Sequence, residues 1–409
     1  MKVLITFEAI FISAVLIGCG GGGGGSASTS TSTTTSTTTP AATPVASSAT
    51  QLSVAQALFA EKSLSASGQL ACATCHTDET AHSTAAGVAL PVGGALMNQQ
   101  VSRSSPSLMY KSTTPIFSFD NNGQAVGGFN WDGRANTMAD QSAGPLLAST
   151  EMANSSINVL VTRVRALSYY KDFASVFNVP TNATDQQVYD ILRGAFETYQ
   201  RQDTDYSLFN SKFDKFLDGT ATLSASEERG RQLFNAPTKG NCASCHSSQV
   251  GPGQQRPLFT NFRYAALGIP RNTAIIANQD AAFFDMGLCG PVRTDLSART
   301  DLCGQFKIPT LRNIAITAPY FHNSGIDTLT NAVKFYATRD SNPALWYPSV
   351  NGSVVKFNDL PANLRTNVQI NRAPFNSNLN AQEIDDIVAF LQTLTDDRTA
   401  PANSSTIRN

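Results

Sequence analysis

The chain has 409 residues, with 29 Lys and Arg against 30 Asp and Glu and a formal net charge of −1. That balance excludes a nucleic-acid binder, which carries a strongly basic face. No apolar run reaches the roughly 18–20 residues that cross a bilayer, which excludes a polytopic membrane protein. Hydrophobic residues make up 41% of the chain, enough for a buried core, and the informative minority is seven Cys and four His.

Lys2 precedes an apolar stretch from Val3 to Gly18 that meets Cys19. This is a charged n-region, an h-region of signal-peptide length and a small residue before the cut. Leu16-Ile17-Gly18-Cys19 resembles the bacterial lipobox, in which the Cys becomes the lipidated first residue of the mature protein. The expectation is a lipoprotein signal peptide over 1–18 and a lipid anchor on Cys19, the only attachment to a membrane. Gly20 rather than Asp follows the Cys, which points to the outer membrane, facing the periplasm. An ordinary secretory signal cut elsewhere is the alternative. Six glycines then lead into Ser26–Thr50, where 17 of 25 residues are Ser or Thr. Such a segment cannot offset its ordering entropy and reads as a flexible tether, 19–51. The folded body is expected from Leu52.

Cys72-Ala73-Thr74-Cys75-His76 and Cys242-Ala243-Ser244-Cys245-His246 are two copies of C-x-x-C-H. In an exported chain this spacing signals covalent c-type haem: two thiols form thioethers to the haem and the following His is the proximal iron ligand. A structural zinc site or a thioredoxin-like pair leaves the His after each pair unexplained. Cys289 and Cys303 remain. In an oxidising compartment they suit a disulfide, the alternative being two buried free thiols.

Each haem motif follows a short helical approach, Ala57-Leu58-Phe59 and Gln232-Leu233-Phe234, whose Leu-Phe is expected near the porphyrin edge. Between them, Asp185 to Phe209 carries Val188, Ile191, Leu192, Ala195, Phe196 and Tyr199 at helical spacing. Ala381 to Leu394 repeats the pattern with Ile384, Ile387, Val388 and Leu391. The fold is expected to be mainly α, with two cytochrome-c-like haem domains in one chain, at 52–205 and 206–397, and a tail at 398–409. The polar stretch Arg339–Phe375 reads as a surface elaboration, or else as a face for a protein partner.

Ser105-Pro106-Ser107-Leu108, Asn130-Trp131-Asp132-Gly133-Arg134-Ala135, Asp140–Leu146 and Glu151-Met152 form a series in the first half. The second half carries Phe306–Asn313 and Thr317–His322. Together they resemble the bacterial di-haem cytochrome c peroxidase and MauG family over about residues 52–395. The resemblance implies a peroxidatic N-terminal haem and an electron-transfer C-terminal haem. Trp131 would relay between them, and Glu151 would be the distal acid–base group, with Gln141 and Pro145 in its pocket. It also implies a calcium ion held by the carbonyls of Thr317 and Pro319. The family's third calcium ligand is an Asn, and Ser104 stands there. Tyr336 falls at the second haem's sixth-ligand position, as in MauG-like members, where peroxidases have Met. Otherwise Tyr336 is a helix-face aromatic and Met286 the substitute ligand. His82 reads as a loop His that leaves the first haem's distal face open. His322 suits a hydrogen-bonding role near the second haem.

The function implied is reduction of hydrogen peroxide at the N-terminal haem, with electrons from a periplasmic cytochrome c or cupredoxin relayed through the C-terminal haem. A MauG-like oxidation of Trp or another residue on a partner protein is the alternative, and a non-catalytic di-haem electron carrier a third.

Overall fold

The structure, a computed structural model, describes residues 49–370, 372–375 and 377–398. The expected signal peptide, Cys19 and the tether as far as residue 48 lie outside the described residues, as does the tail from 399 onward.

Thr50 accepts the amide of Ser53, and Ser53 returns a bond to the Thr50 amide, a capping box that starts α1 (Gln51–Phe59). The body therefore begins slightly before Leu52, at a residue the composition assigns to the tether. There follow the single turn α2 (Cys72–Cys75), then α3 (Met138–Leu147), α4 (Ile157–Arg165), α5 (Tyr170–Val176) and the long α6 (Asp185–Gln202). Val188, Leu192, Ala195, Phe196 and Tyr199 bury one face of α6 against α1, α3 and α4. The helix ends at Gln202 although the apolar stripe suggests continuation toward Phe209. Asp203 turns extended, and its side chain accepts the Asp205 amide to start a separate 3-10 turn, Thr204–Ser207.

The second half contains α7 (Lys212–Leu217), α8 (Ala225–Asn235), α9 (Leu329–Thr338) and α10 (Ala381–Gln392). Capping boxes at Ser211–Asp214, Ser224–Glu227 and Asn380–Glu383 start α7, α8 and α10. Phe213, Phe234, Phe259 and Phe390 meet largely edge to face, with centroids 5.3–6.1 Å apart. Beside them the Arg312 and Asp214 side chains, 0% and 1% exposed, form two bonds of 2.9 and 2.8 Å. One hydrophobic cluster draws on residues between Val54 and Tyr206, another on residues between Phe213 and Leu394. Strands among the described residues form four short antiparallel pairs, so the body is mainly helical. Cys289 and Cys303 are bonded to each other, with buried Leu288 and Leu302 packed beside Tyr264. No helix among the described residues is long and apolar enough to cross a membrane.

Arg339–Phe375 is not a surface elaboration. Arg339 is 0% exposed, with its guanidinium 3.7 Å from the Phe375 ring centroid and donating to the Leu267 and Gln369 carbonyls. Tyr347 is buried and donates to Gly268 O at 2.5 Å, and Trp346 packs edge-on against Phe335 of α9. The polar sequence masks these anchors because their partners are distant along the chain, some within the stretch at Gln369 and Phe375 and others outside it at Leu267, Gly268 and Phe335.

α8 and α10 cross at Gly230, where a Cβ would stand 1.8 Å from the Asp386 carbonyl oxygen. Gly230→Ala is expected to destabilise the fold by about 1–3 kcal/mol through overpacking, although Ala is the better helix former. Urea unfolding followed by circular dichroism checks this; an unchanged or higher midpoint would mean that the helices can part.

Candidate active site

Each C-x-x-C-H turn places its thiols and imidazole against one cavity. Cys72 and Cys75 are free thiols; burial, with some help from Cys75, pushes Cys72 up to about 12, and Cys75 rises to about 11. His76 Nδ1 donates to the His82 carbonyl at 2.8 Å, and burial pushes the ring down to about 4. His246 does the same on the Phe259 carbonyl at 3.0 Å, and burial takes it too down to about 4. Both carbonyls belong to non-glycine residues in the left-handed region, His82 at φ 52° and Phe259 at φ 53°. Each imidazole is thus neutral, its tautomer fixed and Nε2 left as a ligand.

A cavity of about 300 Å³ joins Cys72, Cys75 and His76 to Phe59, Leu146 and Phe196. One of about 210 Å³ joins Cys242, Cys245 and His246 to Phe234, Val333 and Leu391. Phe59 and Phe234 end the two helical approaches. Two thiols and a neutral imidazole facing an apolar space are donors that fit a haem. Lys111 and Lys307, both half-buried, line the second cavity together with Trp131. Burial pushes Lys111 down to about 8; burial and then the Lys111 charge hold Lys307 well below the ordinary lysine range. Sequence reasoning missed both, for neither stands in a basic cluster.

Glu151 lines the first cavity, as do Gln141 and Pro145 of α3. No described residue donates a hydrogen bond to its carboxyl, and burial pushes that carboxyl above the ordinary glutamate range, partly offset by Arg134. Its loop is held by backbone. Met152 N donates to the Pro145 carbonyl at 3.1 Å, and Asn154 Nδ2 bridges the Leu64 and Leu146 carbonyls at 2.8 and 2.9 Å. Gly93 and Gly94 press on the same loop. A Cβ on Gly93 would lie 2.5 Å from Thr150 O, and Gly94 N donates to Glu151 O at 2.8 Å. The Gly-Gly pair in Pro91-Val92-Gly93-Gly94 was the available signal.

Trp131 lines both cavities. Its indole N–H donates to Ser104 O at 2.9 Å, and its carbonyl accepts from Lys307 N at 2.8 Å. Next to it, Asp132 is fully buried and accepts from Arg103 at 2.7 Å, while Arg103 also grips Asp285 with two bonds of 2.6 and 2.7 Å. Gly133 sits at φ 67° with no room for a Cβ against Tyr264 Oη.

Tyr336 lines the second cavity, and its hydroxyl has no hydrogen bond from or to a described residue. Burial raises its phenol above the ordinary range. Met286 is not among that cavity's lining residues; it packs in the cluster around Ile269 and Tyr320. Ser104, Thr317 and Pro319 line the same cavity, with Ser104 Oγ donating to Phe321 O at 3.0 Å. His322 is stacked on Phe306, centroids 3.5 Å apart, and its Nε2 stands 3.6 Å from Asp359, beyond a hydrogen bond. His82 lies in a loop, as expected, and is held there: it is 1% exposed, with its carbonyl behind His76.

Residues 50–222 match the family model described as di-haem cytochrome c peroxidase. The methylamine utilization protein MauG of Paracoccus denitrificans is 31% identical over 84% of this chain and 88% of its own. The chain belongs to the di-haem cytochrome c peroxidase and MauG family. The cytochrome c551 peroxidase of Nitrosomonas europaea is 27% identical over 68% of this chain and 67% of its own. The crystal structure of the di-haem peroxidase BthA from Burkholderia thailandensis superposes with a TM-score of 0.76 at 33% identity, covering 85% of this chain and 86% of that one. The protein is thus a di-haem, peroxide-acting oxidoreductase, and its two cavities answer to two haems.

In this di-haem enzyme Asn154 is the side chain that fixes the Glu151 loop from behind. Asn154→Ala leaves two buried carbonyls without a donor and is expected to cost about 1–3 kcal/mol. A thermal midpoint equal to the parent's would show that solvent replaces both bonds.

Proposed function

We propose that the N-terminal cavity is the peroxide-reducing centre, with haem attached through Cys72 and Cys75 and ligated by His76. The C-terminal cavity takes the electron-transfer haem through Cys242 and Cys245, with His246 and Tyr336 as ligands. The chain is then two cytochrome-c-like haem domains, 52–205 and 206–397, with Arg398 added to the body. The observation that carries this reading is Glu151: an unpartnered carboxyl with a raised pKa in the same cavity as His76. A haem held there by Cys72, Cys75 and His76 would supply redox chemistry toward peroxide. Reduction to two waters also needs two protons moved at the right moment. Glu151 takes the proton of the inner peroxide oxygen and returns it to the departing one, while Gln141 and Pro145 shape the pocket around it. Trp131, against both cavities, carries charge between the two sites.

The electrons come from a protein donor, a small periplasmic cytochrome c or cupredoxin. A MauG-like oxidation of a residue on a partner protein is the second reading, favoured by Tyr336: a phenolate, unlike a thioether, stabilises the more oxidised iron. The signal-like segment ending at Cys19 supports export and a lipid anchor on the periplasmic side, in the outer membrane. A calcium ion held by Ser104, Thr317 and Pro319 completes the proposal. These are oxygen donors without a carboxylate, so the ion is weakly held. Calcium analysis of purified protein supports it at one ion per chain and removes it at none.

Glu151→Gln, with both haems retained, is expected to lower peroxide turnover by roughly 10²–10⁴-fold. Because the carboxyl must be ionised to accept a proton and its pKa is raised, the parent rate falls with decreasing pH around a midpoint above 4.5, the ordinary value. The Gln variant lacks that limb; a full rate with the limb intact would clear Glu151 of the role. Tyr336→Phe is expected to change the low-spin ferric resonance of the second haem, and an unchanged signal would take Tyr336 out of the ligand set.

A further inference from the structure

The two proximal histidines use the same device on unlike foundations. His246 leans on the carbonyl of Phe259, whose ring is locked in the dry cluster of Phe213, Phe234 and Phe390. His76 leans on the carbonyl of His82, which also accepts the Leu108 amide at 3.1 Å. The His82 ring is stacked on Tyr206, centroids 4.3 Å apart and 13° from parallel. Its Nε2 donates to Asp205 Oδ2 at 2.8 Å, and the same oxygen accepts from Arg398 at 2.7 Å. Arg398 also reaches Met109 Sδ, and its side chain is 13% exposed. Burial alone would raise the Asp205 carboxyl, but its bonds to His82 and Arg398 hold it below the usual aspartate range.

We propose that His82, Asp205 and Arg398 are a positioning set for the first haem site: they lock the ring of His76 and set, through opposed fixed charges, how electron-rich its iron-facing nitrogen is. A ring anchored to a carboxylate keeps His82 in its left-handed conformation, which aims the carbonyl. The half-buried carboxylate stabilises the oxidised state of a metal on the far side of His76, and Arg398 moderates it. Among the described residues no carboxylate anchors Phe259 as Asp205 anchors His82; the Asp214–Arg312 pair there is paired to itself, and neither Asp205 nor Arg398 touches that site, so the set acts on one site of the two. This rests on the reading of His76 as a haem ligand.

The test is redox titration of both haems by optical spectroscopy in the haem-loaded, full-length protein, after a haemochrome assay has shown two haems per chain. Asp205→Asn removes negative charge and raises the potential of the first haem. Arg398→Met removes positive charge and lowers it. The second haem is the internal reference and does not move. Mere loosening would shift the two variants in one direction, and that outcome, or no shift in either, overturns the proposal. His82→Asn keeps a residue tolerant of the left-handed region but loses the anchor, and broadens the ferric resonance of the first haem; an unaltered resonance counts against the lock. His76→Gly separates the two levels. If its first-haem spectrum equals the parent's, the ligand reading itself fails; if it is altered while the charge variants stay silent, only the positioning set does.

Discussion

Arg103 occupies the point on which the arrangement of both cavities turns. Its guanidinium is 10% exposed and shared between two buried carboxylates, Asp132 in the first half and Asp285 in the second. Burying one cation between two anions is favourable only because every partner is hydrogen-bonded; Arg134 supplies the remaining side-chain contacts of the Asp132 carboxylate, and Arg293 donates to the Asp132 backbone carbonyl. The next residue, Ser104, extends the clamp. Its carbonyl receives the Trp131 indole, and its amide and hydroxyl donate to the His322 and Phe321 carbonyls. Two consecutive residues thereby fix the indole between the halves and fasten the loop that roofs the second cavity.

The two cavities are alike in origin and unlike in chemistry. Around the first stand the Glu151 carboxyl, the Gln141 amide, Arg103 and Arg134, in the cavity that His76 lines. Around the second, Phe234, Val333, Leu391 and the Tyr336 phenol stand with Lys111, Lys307 and Arg312. The proposed division of labour rests on the Glu151 carboxyl, which lines the first cavity and not the second.

Much of this could be read from sequence where the signal is local. The C-x-x-C-H pairs, the α6 and α10 stripes and the block around Trp131 are each contained in a few turns of chain. What escaped was non-local. His82 meets Asp205 across 123 residues and Asp205 meets Arg398 across 193, and no periodicity encodes either. Lys111 and Lys307 look like ordinary surface lysines until the fold encloses them. Gly93 and Gly94 look like a loop until the Thr150–Glu151 backbone is set against them. The stretch from Arg339 to Phe375 reads as polar because its anchors are single residues separated by turns.

The contacts of residues 396–398 carry a consequence for biogenesis. Tyr110 donates to Asp396, Asn313 to the same carboxylate, and Arg398 reaches Asp205. The first half, though synthesised first, is sealed by residues that emerge from the ribosome only after the second half. Until they arrive, the wall behind His76 is open and the Asp205 carboxylate uncompensated. The chain thus has a built-in delay, in which the earlier site waits for the later one, and a truncated product would carry its first site unfinished rather than merely lose its second.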